Sequence, residues 1–70
     1  MNEQRLGNRM KKFRTQRGMT QTEVAAIIGV SRKTINTVEN SVFVPSTILA
    51  LKLANTLGTT VEELFYFVED

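Results

Sequence analysis

The sequence predicts an all-α domain of five short helices, followed by a tail whose composition favours a strand. Three observations carry this. Asn, Ser or Thr stands at the head of every candidate helix, Gly18, Gly29 and Gly58 stand at the ends of three of them, and apolar residues recur three and four positions apart.

Asn2 heads a first helix expected to run to about Arg17, with Leu6, Met10 and Phe13 on one apolar stripe. Thr20 opens the second, and Glu23 three residues on completes a capping box. Val24, Ala25, Ile27 and Ile28 supply its apolar side, and Gly29 ends it. Ser31 caps a third helix over about 32–39. Residues 40–45 form a loop containing the apolar run Val42-Phe43-Val44 before Pro45. Ser46 caps a fourth helix ending near Gly58, and Thr60 with Glu63 forms a second capping box for a short fifth. The tail, Leu64 to Asp70, is rich in aromatic and β-branched residues. A lone strand is not stable, so it must pair with or pack on something.

The chain is 70 residues long and is read as one domain over 1–70, and a chain this short buries only about 60% of its unfolded surface. It contains neither cysteine nor histidine. A disulfide or thiolate metal site is therefore excluded, and the commonest general base and metal ligand are missing. The adjacent carboxylates Glu62 and Glu63 sit at a helix start, where capping and the helix dipole account for them. No enzyme activity, cofactor or metal is expected. No apolar run approaches the roughly 20 residues of a membrane span, and no signal peptide is visible, so the expected compartment is the cytoplasm.

Charge is unevenly distributed. Residues 1–40 carry eight Lys and Arg against three Glu, a balance of +5; residues 41–70 carry Lys52 against four carboxylates, a balance of −3. The first part suits a polyanion, although a basic face can also be merely solvated.

Arg32 and Lys33 follow directly on the Ser31 cap. The first turn of a helix carries a partial positive charge that disfavours cations by about 0.3–1 kcal/mol each. An anion from another molecule would complete such a site. The second and third helices are separated only by Gly29-Val30-Ser31, the spacing of a helix-turn-helix. Ala25 is small, as a close helix crossing requires, and Ile35 and Val38 anchor the third helix inward. On a wheel of about 100° per residue, Lys33, Asn36, Thr37 and Asn40 then point outward, with Arg32 and Thr34 flanking. Cations, amides and Thr methyls are the side-chain chemistry that reads base edges in a major groove.

Residues 21–40, "QTEVAAIIGVSRKTINTVEN", resemble the helix-turn-helix of the phage-repressor/Cro-like family, also called XRE regulators. "MKKFRTQRGMTQTEVA" resembles that family's entry into the motif and "PSTILALKLANTLGTTVEELF" its fourth and fifth helices, so the likeness covers about residues 8–65. It is greatest to small stand-alone bacterial members without a sensor domain, and it implies a lambda-repressor-like DNA-binding domain. The resemblance implies base contacts from Arg32, Lys33 and Thr37, with Asn36 a further candidate. It implies phosphate contacts from Gln21 and Asn40, while Ser31 and Thr34 can reach phosphates or bases. It also implies that Arg14 pairs with Glu39, fixing the first helix against the third; the alternative is that Arg14 or Arg17 touches phosphate. After Asn40 the family commonly has glycine and a basic residue, where this chain has Ser41 and Val42.

The expected function is sequence-specific binding of double-stranded DNA, most simply as a repressor. One short helix reads only half a site, so a homodimer on a palindrome is expected. The fourth helix supports this, because Leu49, Ala50, Leu53 and Leu57 occupy one side while Ile48 and Leu51 occupy another. Phe65, Tyr66, Phe67 and Val68 in the tail are further dimerisation candidates; alternatively the tail only covers its own core. Phe43 either closes the core or sits at a partner interface. Two rival readings are an antitoxin or immunity-type regulator with an additional protein partner, and a protein-interaction module without DNA binding. No small-molecule ligand is expected.

Overall fold

The computed structural model describes residues 4–69. In chain order the elements are β1 (Gln4–Asn8), α1 (Met10–Gln16), α2 (Gln21–Ile28), α3 (Arg32–Glu39), α4 (Thr47–Thr56), α5 (Val61–Leu64) and β2 (Phe65–Glu69). The protein is mostly helical, with a two-stranded antiparallel sheet that joins its two ends.

Four helices begin as their caps dictate. Thr20, Ser31, Ser46 and Thr60 each accept a hydrogen bond on the side-chain oxygen from the backbone N–H three residues on. At Thr20 the box is reciprocal, with Glu23 Oε1 accepting from the Thr20 N–H at 3.0 Å. The backbone N–H of Thr20, and then its side chain, hold the Glu23 carboxyl below the usual glutamate range. Because the folded value is lowered, the box stabilises the fold above that range and fades as pH falls through the lowered value. The expected box at Thr60 is only half formed: Glu63 Oε2 accepts instead from the Thr59 hydroxyl at 3.1 Å.

The first helix departs from expectation. Its proposed cap, Asn2, lies outside the described residues, and residues 4–8 are a strand rather than a helix. Leu6 pairs with Phe67, Gly7 with Tyr66 and Asn8 with Phe65. The tail therefore finds its partner within the chain, and that long-range pairing overrides a helical pattern which Gly7 already weakens. A β-carbon at Gly7 would lie only 2.5 Å from Tyr66 Cε2, so the Tyr66 ring fills the space above this glycine. The Arg9 guanidinium caps the same ring, 4.4 Å from its centroid.

The core gathers one buried face from each helix: Met10 from α1, Val24 and Ala25 from α2, Ile35 and Val38 from α3, Leu53 and Ala54 from α4, and Leu64 from α5. Each fully buried large apolar side chain contributes about 1.5–3 kcal/mol. Phe65, at 8% exposure, belongs to this core, and Leu6 packs against it from the sheet. Of the four tail residues considered for dimerisation, Phe65 is thus committed inward, while Phe67 is 70% exposed.

Arg17 holds the end of α4. Its Nε donates to the Leu57 carbonyl at 2.8 Å, and its guanidinium lies against the Gly58 α-carbon. Gly58 has φ +69°, so alanine there meets both backbone strain and the guanidinium. Gly58→Ala is expected to destabilise by about 1–2 kcal/mol, read from the urea midpoint at unchanged slope. No change in the midpoint would mean that neither the left-handed backbone at Gly58 nor the Arg17 clasp is formed in solution.

Candidate nucleic-acid interface

The interface is built on a tight joint between α2 and α3. Gly29 ends α2 in the left-handed region, at φ +88°, and the N–H groups of Gly29 and Val30 both donate to the Ala25 carbonyl, at 2.8 and 3.0 Å. Ala25 is buried where the two helices pack, and Val30 turns inward against the core. The amphipathic α3 buries Ile35 and Val38 and leaves its polar side to solvent.

Ser31 starts α3. Its Oγ accepts from the Thr34 N–H at 3.2 Å and lies 3.0 Å from the Thr34 hydroxyl. Arg32 and Lys33 are exposed, and no acidic residue stands in the first turn to offset them. Among the described residues neither makes a hydrogen bond or an ion pair. The positive charge at this helix start therefore has no neutralising group of its own. Thr37 is half-buried, and its hydroxyl donates to the Thr34 carbonyl at 2.9 Å, which turns the hydroxyl back onto the helix. Asn40 is exposed at the C-cap.

Behind this face lies an ion pair whose side chains are 12% exposed for Arg14 and 5% for Glu39. Arg14 Nε donates to Glu39 Oε2 at 2.6 Å and Nη2 to Oε1 at 3.2 Å, while Nη1 donates to the Met19 carbonyl at 3.0 Å. One guanidinium thus ties α1, the connection to α2 and the end of α3 together, which leaves the side chain turned inward. Gln21, the first residue of α2, donates from Nε2 to Glu39 Oε1 at 3.1 Å and accepts on Oε1 from Asn36 Nδ2 at 3.4 Å. Asn40 Nδ2 donates in turn to Asn36 Oδ1 at 3.2 Å. Gln21, Asn36 and Asn40, placed on separate turns of chain, are joined in one polar string rooted on the Arg14–Glu39 pair.

Asn8 is a positioning residue that sequence reasoning missed. Its Nδ2 donates to the carbonyls of Val38 at 2.8 Å and Glu39 at 3.4 Å, and its Oδ1 accepts from the Met10 N–H at 3.1 Å. It satisfies carbonyls at the end of α3 and starts α1 at the same time. Nothing near Asn8 in sequence signals its hold on α3, because the Val38 and Glu39 carbonyls lie 30 and 31 residues away. Beyond α3, Ser41 adopts φ +59°, the left-handed conformation for which glycine is the unstrained residue.

Fold and site together define a helix-turn-helix domain with its second motif helix presented to solvent. The family model described as helix-turn-helix matches residues 10–64, and the chain belongs to this XRE-type family of DNA-binding transcription regulators, which is not an enzyme class. Among its relatives, an uncharacterised HTH-type transcriptional regulator of Methanocaldococcus jannaschii is 36% identical over 63 residues, spanning 90% of this chain and 96% of that one. The uncharacterised HTH-type transcriptional regulator YgzD of Bacillus subtilis is 32% identical over 63 residues, with the same coverage of 90% and 96%. Among solved structures, the clp gene regulator ClgR of Corynebacterium glutamicum superposes with a TM-score of 0.71 at 27% identity. The matched region is 74% of this chain and 55% of ClgR. The hypothetical transcription factor NHTF from Neisseria also gives 0.71, at 28% identity, over 77% of this chain and 62% of that one. No helix among the described residues is long and apolar enough to cross a membrane.

Proposed function

We propose that the protein is a dimeric, sequence-specific repressor that sets α3 of each subunit in the major groove of a palindromic operator and occludes a promoter. The observation that carries this is the pair of exposed cations, Arg32 and Lys33, at a helix start with no acidic residue in its first turn. DNA supplies the missing anion. In this docking geometry the N-terminal residues of the second motif helix meet base edges. Arg32, Lys33, Asn36 and Thr37 then face bases, and Gln21, Ser31, Thr34 and Asn40 lie toward the flanking phosphates.

The second subunit is assigned to the surface formed by the 42–45 loop, α4 and the sheet. Val42, Phe43 and Val44 are 77%, 47% and 68% exposed; Ile48, Leu51 and Phe67 are 69%, 57% and 70% exposed. Two grooves share the wall Leu6, Pro45 and Phe65, which makes this surface continuous from the loop to Leu51. Phe43 and Val44 line the first groove and Leu51 the second, while Val42, Ile48 and Phe67 are exposed on the same three elements. Strand β2 adds an open edge without Lys or Pro to blunt it, and an antiparallel edge is self-complementary about a two-fold axis.

Selection of binding sites from random duplex DNA, followed by titration at two salt concentrations, tests the proposal. A palindrome with half-sites about 10 base pairs apart is expected. Arg32→Ala should cost about 1–3 kcal/mol and relax one position of the site. Weak binding without a motif, lost as salt rises, would reduce the reading to a generic basic face.

A further inference from the structure

We propose that Glu39, acting through Gln21, fixes the amide orientation of Asn36 so that this residue reads adenine; the inference rests on the DNA-reading assignment above. A carboxylate only accepts hydrogen bonds, so Gln21 must turn its NH₂ toward Glu39, as the 3.1 Å contact from Nε2 to Oε1 records. The carbonyl end of Gln21 then faces α3 and obliges Asn36 to answer with its own NH₂, at 3.4 Å. Asn36 Oδ1 is left on the other side, where Asn40 Nδ2 donates to it at 3.2 Å. Reversing any one amide would set donor against donor or acceptor against acceptor. Arg14 holds both oxygens of Glu39, at 2.6 and 3.2 Å, so the root of the string does not turn.

A carboxamide offers two N–H donors and two carbonyl lone pairs. The string uses one of each at Asn36 and leaves one of each. Adenine presents N7 as acceptor beside N6–H as donor in the major groove, which matches that remaining pair, whereas guanine presents two acceptors. An amide free to turn would pair with whichever donor and acceptor order the groove offered. A fixed amide pairs with one. Gln21 and Glu39 are therefore positioning residues for specificity, over and above any contact that Gln21 makes with phosphate.

Site selection with wild type, Asn36→Ala, Gln21→Met and Glu39→Gln, each checked for folding by thermal melting, tests this. Wild type should favour adenine at one position of each half-site by on the order of 10- to 100-fold, the discrimination of a good bidentate pair. Asn36→Ala should abolish that preference. Gln21→Met, which removes the string at a half-buried surface position, should lower it at least about fivefold and leave the other positions unchanged, whereas loss of a phosphate contact alone weakens all sequences alike. Glu39→Gln should do the same, because its amide brings an N–H donor to a position where the carboxylate only accepts; if it fails to fold, Gln21→Met decides. A Gln21→Met protein that keeps the full adenine preference would overturn the relay. An Asn36→Ala protein that loses no base preference would overturn the adenine assignment. If wild type selects no sequence at all, the DNA-reading assignment falls, and this inference falls with it.

Discussion

Leu51→Glu is expected to yield a folded monomer that binds the operator about 100- to 10,000-fold more weakly than wild type, the range by which bivalent attachment exceeds single-site binding. Leu51 is 57% exposed on α4 and lines a groove with Pro45, Val61 and Phe65. A charge there costs the isolated subunit little, because the side chain is already in water. In the dimer it would bury a carboxylate in each of two symmetric copies without a partner. Sedimentation equilibrium should show the mass halve, and the melting temperature at low concentration should change little. Ile27→Glu is the matched control: Ile27 is 63% exposed on α2 and lines neither groove, so its variant should remain dimeric. An unchanged mass for Leu51→Glu would place the self-interface elsewhere. A wild type that is monomeric yet loses a protein partner on this substitution would favour the antitoxin-like reading.

Arg14→Ala is expected to destabilise the fold by about 3–5 kcal/mol, the penalty of leaving a buried charge without its partner. Glu39 is 5% exposed and would keep only the Gln21 amide as a donor. A 70-residue domain has in total only about 3.5–10 kcal/mol of stability, so the variant should lose about a third of it or more and melt well below wild type. Replacing both residues, as Arg14→Met with Glu39→Leu, should recover most of the loss, because well-packed apolar groups escape the desolvation penalty. Urea unfolding of the two single variants and the double variant measures the coupling directly. If Arg14→Ala melts like wild type but loses DNA affinity, Arg14 is a phosphate contact and not a structural one.

The candidate site was partly legible in sequence because much of it is local. Ser31, Arg32, Lys33, Asn36 and Thr37 lie on one helix whose two anchors, Ile35 and Val38, set the face. The Arg14–Glu39 pairing came from resemblance, since no local rule connects residues that far apart. The string from Glu39 through Gln21 to Asn36 carried no sequence signal, because α2 must be packed on α3 before those side chains can meet.

The sequence by itself determined the features whose partners lie within a turn or two: the Thr20 capping box, the Ser31 and Ser46 caps, the Gly29 joint and the spacing of the helices. Tertiary structure decided whatever depends on partners remote in the chain. Residues 4–8 became a strand because β2 lies beside them. Asn8 became a clasp on α3 because the sheet brings it to the Val38 carbonyl. Phe65 went inward while Phe67, of the same chemistry and two residues on, stayed in water, because the core ends between them. Local hydrogen bonds form wherever the residues allow, but burial and long-range pairing exist only once the whole chain has closed.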